Sequence, residues 1–301
     1  MAEKVSLVKA GEDIKEAVKQ SITLIGGLDI KDGGHAVIKP NICNAKNPDG
    51  MVITDFRIID AVIQLLKEKT SRITVVESDN ISDTAPNRLE KSGLLDLINE
   101  WNVDFVNLSE DEYEVHIVAG KKLKLPRTVM DAEYFVNMPK IKTEGHVGVT
   151  LSIKNLFGVP VRRKKSTLHR KLNEILPYLA KVIRSDLIVV DGLVAMEGNG
   201  PLIGTPKRLG IILAGRNPVA VDSTCARIMG YDPSEVKYLY NAHEKGVGPL
   251  DGEINVVGED PSRYTKAFER PYSLKATIKS LKSIRKVYIS VSYTHLTLPT
   301  N

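Results

Sequence analysis

Short apolar runs rich in Val and Ile alternate along the chain with longer stretches whose apolar residues return every three or four positions. The short runs suit strands buried on both faces and the longer ones suit amphipathic helices. The rhythm therefore predicts an α/β fold, a mostly parallel sheet flanked by helices. Strands are expected at "HAVIKP" (35–40), "RITVVES" (72–78), "VDFVNL" (103–108), "EYFVNMP" (133–139), "DLIVVDG" (186–192) and "RLGIILAG" (208–215).

Helices fall between most of them. "EDIKEAVKQSITLIGG" sets Ile14, Val18, Ile22 and Ile25 on one face and stops at Gly26 and Gly27. "TDFRIIDAVIQLLKEKT" starts behind Thr54 as the expected N-cap and aligns Phe56, Ile59, Ile63 and Leu66. "STLHRKLNEILPYLAKVIRS" has helical periodicity but holds Pro177, which predicts a kink or two pieces. "NPVAVDSTCARIMG" and "DPSEVKYLYNAHEKG" read as consecutive helices, each ended by Gly.

The segment 145–185 interrupts the strand–helix rhythm and is expected to be a cap inserted into a single α/β domain spanning 1–290. Beyond it, "VSYTHLTLPTN" (291–301) contains no Lys, Arg, Asp or Glu and resembles translated sequencing-adapter read-through. On that reading it is a non-native tail and the natural C-terminus is missing; the alternative is an ordinary C-terminal strand, since Thr and Val suit strands.

Composition narrows the class. With 301 residues and 42% hydrophobic content the chain can bury a sizeable core. The net charge of +5 is a mild excess, but it is concentrated in "VRRKKSTLHRK" (161–171), where six of eleven residues are Lys or Arg and none is acidic. Such a run reads either as a solvated face or as an anion-binding patch. Only 5% of residues are aromatic and none lies in the run, which argues against nucleic acid. Cys43 and Cys225 are far apart and form no C-x-x-C, so no iron–sulfur cluster, zinc site or disulfide framework is expected from this chain alone. No apolar run reaches membrane-spanning length and the N-terminus lacks a signal-peptide core, so a cytoplasmic location without a membrane partner is expected.

Polar residues follow the apolar runs. In open α/β sheets ligands bind beyond the carboxyl ends of the strands. Those ends offer Lys39 and Asn41, then Glu77, Asp79 and Asn80, then Asn137, Lys140 and Lys142, then Asp191, Glu197 and Asn199, and last Asn217 before a helix carrying Asp222. The stretch "NMPKIKTEGHVGVTLSIKNLFG" (137–158) is densest in donors, and the glycine-rich "AMEGNGPLIGTP" (195–206) reads either as an anion-contacting loop or as a turn between strands. The second loop fits no nucleotide-binding pattern.

Lys140, Lys142 and Lys154, with Lys165 and the rest of the basic run, could neutralise phosphate or carboxylate. A lysine among cations can also serve as base or nucleophile, and His146 or His169 can move a proton near neutral pH. The carboxylates could instead gather magnesium, although no spacing enforces it and the metal stays unassigned.

Taken together and in this order, "VIKPNI", "MPKIKT", "TLSIKNLFG", "VVDGLVAMEGNGP" and "ILAGRNPVAVD" resemble the domain-of-unknown-function family numbered 362, over about Val37 to Gly258. That family is widespread in bacteria and archaea, and some members carry ferredoxin-like iron–sulfur modules. Its K-T-H pattern stands here as Lys142-Thr143-Glu144, with His146 two positions later, whereas Lys154 and Asn155 match the family's "SIKNLFG".

Two functions stay open. In the first, an enzyme acts on an anionic small molecule: Lys154, Lys142, His146 and Glu197 are the catalytic candidates, and Lys39, Asn41, Asn137, Lys140, Asn155, Lys165, His169, Asp191, Asn199 and Asp222 bind or position the ligand. In the second, a non-catalytic module docks an acidic redox or carrier protein such as a ferredoxin through the basic run.

Overall fold

The computed structural model describes residues 2–161 and 166–284. The first half holds β1 (Glu3–Lys9), α1 (Ile14–Leu24), β2 (Ala36–Pro40), α2 (Phe56–Lys67), β3 (Ile73–Glu77), α3 (Ala85–Ser92), α4 (Leu94–Glu100) and β4 (Asp104–Asn107). A hairpin of β5 (Tyr113–Val118) and β6 (Lys121–Pro126) precedes α5 (Arg127–Met130). Then come β7 (Tyr134–Met138), β8 (Lys140–Glu144), β9 (Gly148–Thr150), α6 (Ser152–Asn155) and α7 (Leu172–Val182). The rest comprises β10 (Leu187–Glu197), β11 (Thr205–Gly215), α8 (Pro218–Ile228), α9 (Lys237–Glu244), β12 (Ile254–Gly258) and α10 (Leu274–Ile284).

Ten strands form one sheet in the order β12-β1-β11-β10-β7-β2-β3-β4, with β8 on β10 and β9 on β8, while β5 and β6 pair separately. The sheet is mixed and mostly parallel, as the runs of Val and Ile imply. Its antiparallel pairs are β1 with β11, β10 with β11, and β8 with β9. The β10–β11 pair has a simple cause: the chain turns back through the glycine-rich residues 198–204, too short a link for a parallel crossover.

Alternation along the strands divides the core. Ala36 and Ile38 face one apolar cluster, shared with α1 to α4, and Val37 faces the other, shared with α6 to α9. Helix α2 begins at Asp55, which caps the Arg57 amide at 3.0 Å, not at the expected Thr54. Thr54 instead accepts from the Asn41 amide and donates to the Met138 carbonyl, both at 2.9 Å, which ties the end of β2 to the end of β7.

The proline-bearing segment forms two pieces, a 3₁₀ stretch at Ser166–Lys171 and then α7, which runs through Pro177. Proline cannot donate to the carbonyl four residues back, and that carbonyl, of Asn173, accepts from the Asn241 side chain at 2.7 Å. The segment 145–185 also sends Leu168, Leu172, Ile175 and Leu176 into the main core. Its residues 162–165, including the candidate Lys165, lie outside the described residues, as do 285–301.

Candidate functional site

The sheet forks at Pro139. Up to Met138, β7 is flanked by β2 and β10; past the proline the chain continues as β8, still beside β10 but now with β9 on its other side. Strand β2 has ended at Pro40, so a gap opens between its end and β8. A cavity of about 290 Å³ occupies this region, lined by Lys39 near the end of β2 and Asn41 just beyond it, Lys142 and Glu144 from β8, and Lys154 and Asn155 from α6.

Three cations in this wall are committed. Lys39, almost wholly buried, donates to Glu77 at 3.2 Å and to the Pro40 carbonyl at 3.0 Å. Gly158 permits this position, because a Cβ there would stand 2.7 Å from the lysine's Cε. Arg88 spends Nε, Nη1 and Nη2 on the carbonyls of Ile42, Asp83 and Ser78, with Glu77 at 3.9 Å. Lys142 donates to the Val52 carbonyl at 2.8 Å and reaches Cys43 Sγ at 3.4 Å and Asn41 Oδ1 at 3.5 Å. Burial pushes the Lys142 ammonium below its ordinary value, outweighing the upward pull of Cys43, and Lys140 adds to the depression.

Lys154 differs. Among the described residues its ammonium meets no hydrogen-bond acceptor or carboxylate partner, and its one specific contact is the Phe157 ring, 4.8 Å from Nζ to the ring centroid. Burial drives it below the ordinary lysine value against the charge of Glu144, and Lys142 pushes the same way. Its helix is held from outside the cavity. Buried Asp222 accepts from the amides of Ser152 and Ile153 at 2.8 and 3.0 Å and from the Ser152 hydroxyl at 2.5 Å. Burial raises the Asp222 carboxyl to about 7, against those hydrogen bonds.

A histidine pair closes one side. Glu144 accepts from the His146 and Val147 amides, both at 3.0 Å, and holds His146 Nδ1 at 2.6 Å. The His146 ring stacks on His169, with centroids 4.6 Å apart and planes 17° apart. His169 lines the cavity, and burial, then Lys154 and His146, lower its pKa.

The structure thus gathers Lys39, Asn41, Lys142, Lys154, Asn155 and His169 around one space, with His146 stacked behind. Other candidates stand elsewhere. Lys140 and Asp191 pair at 2.6 Å with no exposure, outside the cavity lining, and Asp191 also takes the amides of Asp55 and Leu193. Asn137 donates to the Ser152 carbonyl and accepts from Asn155 at 2.8 Å, so it supports α6 from below. Glu197, a candidate proton carrier, lies outside the cavity: burial alone would raise its pKa, but Lys207 at 2.6 Å, the Glu269 amide and Lys279 hold it below the ordinary value. Asn199 binds the Tyr272 amide and Ser280 beside α10. Among the described residues no three His, Cys, Asp or Glu side chains converge as a metal site.

Arg88 and Glu144 were not foreseen as site residues. The arginine lies within a helix and carries no local signal, whereas "KIKTE" has one: period-two alternation in a strand puts Lys140, Lys142 and Glu144 on one face.

This is an α/β protein with a lysine-lined cavity where the strand ends part. The chain belongs to the family described as Domain of unknown function (DUF362), whose model matches residues 36–227. It is 28% identical over 239 residues to "Thylakoid-associated protein sll1697" of Synechocystis sp., covering 76% of this chain and 74% of that protein. Among solved structures it is similar to the lactate racemase apoprotein from Thermoanaerobacterium thermosaccharolyticum, at 14% identity and a TM-score of 0.39 over 80% of this chain. The match spans 56% of the racemase chain. Among the described residues no helix is long and apolar enough to cross a membrane.

Proposed function

We propose that the cavity is the active site of an enzyme acting on an anionic small molecule that bears a phosphate or carboxylate group. The observation that carries this reading is the Lys154 amine, which lines the cavity with no acceptor among the described residues and a pKa lowered by burial. In its neutral form it is a base or nucleophile, and protonated it binds the anion. Lys142 adds positive charge at the fork, where Lys39 is already paired with Glu77, and Asn41 orients the substrate. His169 passes a proton to or from the reacting group, and Glu144 positions His146 behind it.

The test is thermal unfolding of the protein against a panel of phosphorylated and carboxylated metabolites, with and without magnesium. A ligand at a hundredfold its dissociation constant stabilises the fold by about 2.7 kcal/mol. A selective shift, lost in Lys154→Ala together with turnover, supports the enzyme. No shift from any compound, with the protein well folded, turns the reading to docking of an acidic redox protein. Charge reversal at Arg162 and Arg163 would then weaken a salt-sensitive association.

A further inference from the structure

The donors around the cavity can be counted, and most are spent. A phosphate is usually met by a bidentate arginine, by free amides at a helix start, or by several lysines. Here three donor nitrogens of Arg88 are on backbone carbonyls. The first amides of α6 belong to Asp222, and at the start of α3 the Ala85 amide is taken by Asp79 at 2.8 Å. Lys39 is neutralised by Glu77, and Lys142 points at Val52, Cys43 and Asn41. The Asn155 amide nitrogen donates to Asn137 and to the Lys39 carbonyl.

Apart from the Thr150 hydroxyl and the His169 ring, two donors remain without an acceptor among the described residues. One is the Lys154 ammonium. The other is the Asn41 amide nitrogen: Lys142 donates to the Asn41 oxygen, which fixes that side chain's orientation and leaves its NH₂ group over. With Lys154 as the one cation of the lining that has no acceptor among the described residues, the set suits the single charge of a carboxylate better than the double charge of a phosphate ester.

One part of the lining is apolar, although Ser78, Asn80, Ser82, Glu144 and Thr150 also border the space. Phe157 lies beside Lys154, and Pro201, Leu202 and Ile81 line the same space. Ile81 is 74% exposed, so the core does not account for it. A large aliphatic side chain left in solvent at a cavity wall gains burial when an apolar ligand covers it.

We infer that the cavity takes a carboxylate monoanion bearing an apolar chain or ring, its head on Lys154 and Asn41 and its body against Phe157, Leu202 and Ile81. The inference rests on the cavity being the active site and narrows the substrate from anions in general to one class. Isothermal titration of the full chain at fixed ionic strength with acetate, hexanoate, hexyl phosphate and inorganic phosphate tests it. Hexanoate is expected to bind more tightly than acetate by about fourfold for each methylene buried, and more tightly than hexyl phosphate. Ile81→Ser should erode the gain over acetate, and Lys154→Ala should abolish binding of both acids. Tighter binding of hexyl phosphate would overturn the carboxylate assignment and leave the enzyme reading standing. Equal affinity for hexanoate and acetate would overturn the apolar body. If none of the four probes binds, both the inference and the active-site reading fall.

Discussion

Lys140 and Lys154 stand fourteen positions apart in one donor-rich stretch and live in opposite circumstances. Lys140 has no exposure and is locked to Asp191 at 2.6 Å, beside a carboxylate that also collects two backbone amides. Lys154 borders an open cavity with an aromatic ring for company and, among the described residues, no ion-pair partner. The first charge is consumed in joining β8 to β10. The second is kept half-buried with no acceptor among the described residues, an arrangement that costs stability and suits a bound anion.

The sharpest way to break the contrast is to remove one lysine at a time. Lys140→Met leaves Asp191 buried without its partner, so stability should fall by about 3–5 kcal/mol in urea denaturation. Replacing both residues, Lys140→Met with Asp191→Leu, should recover part of that loss. If the single variant unfolds no more easily than the parent, Lys140 is not a structural residue.

The acid that holds the helix of Lys154 gives the next effect. In the folded chain Asp222 titrates at about 7, against 3.8 as its ordinary value. The folded state therefore binds a proton that the unfolded state releases, and the stability this contributes, fully present below about pH 4, is lost as pH rises to about 7. Asp222→Asn should flatten that part of the stability profile, read as the difference between the two proteins across the window. Lys142 and Lys154 act with the opposite sign: their lowered values make stability rise with pH up to the ordinary ammonium range.

Gly158→Ala comes third. The added methyl displaces the end of Lys39 from Glu77, at about 1 kcal/mol because the clashing atoms belong to the tip of a side chain. Chemical denaturation measures that cost, and titration with the ligand found in the panel should show weaker binding. The smallest effect on stability belongs to Lys154→Ala, which should leave the unfolding midpoint unchanged or slightly raised while ligand binding and turnover disappear. A large fall in the midpoint would mean that Lys154, like Lys140, is structural.

Much of the architecture was legible in the chain. Strands β2, β3, β4, β7, β10 and β11 lie where the apolar runs predicted; all but the edge strand β4 are largely buried, and such strands leave a dense local signal. Strand β1 was hidden by the shortness of its apolar centre between charged ends, Glu3, Lys4 and Lys9, and the hairpin of β5 and β6 by exposed Tyr113, Val115 and Ile117 interleaved with polar residues. For the site, strand ends named the right neighbourhood but could not sort it. Whether Lys140 or Lys142 faces the cavity depends on Asp191, 51 residues away, and no local pattern carries that. Arg88 escaped for the same reason: its partners lie in two different loops beyond β2 and β3.

The fork at Pro139 has a mechanical meaning as well. One wall, β8, shares a hydrogen-bonded ladder with β10, and the other, the end of β2, is bolted to β7 through Thr54. Walls that belong to a single sheet cannot swing apart like a jaw, since parting them would tear backbone pairs. The vessel is built before its contents arrive, so a molecule is chosen by whether it fits a fixed mould, and backbones with and without it should superimpose.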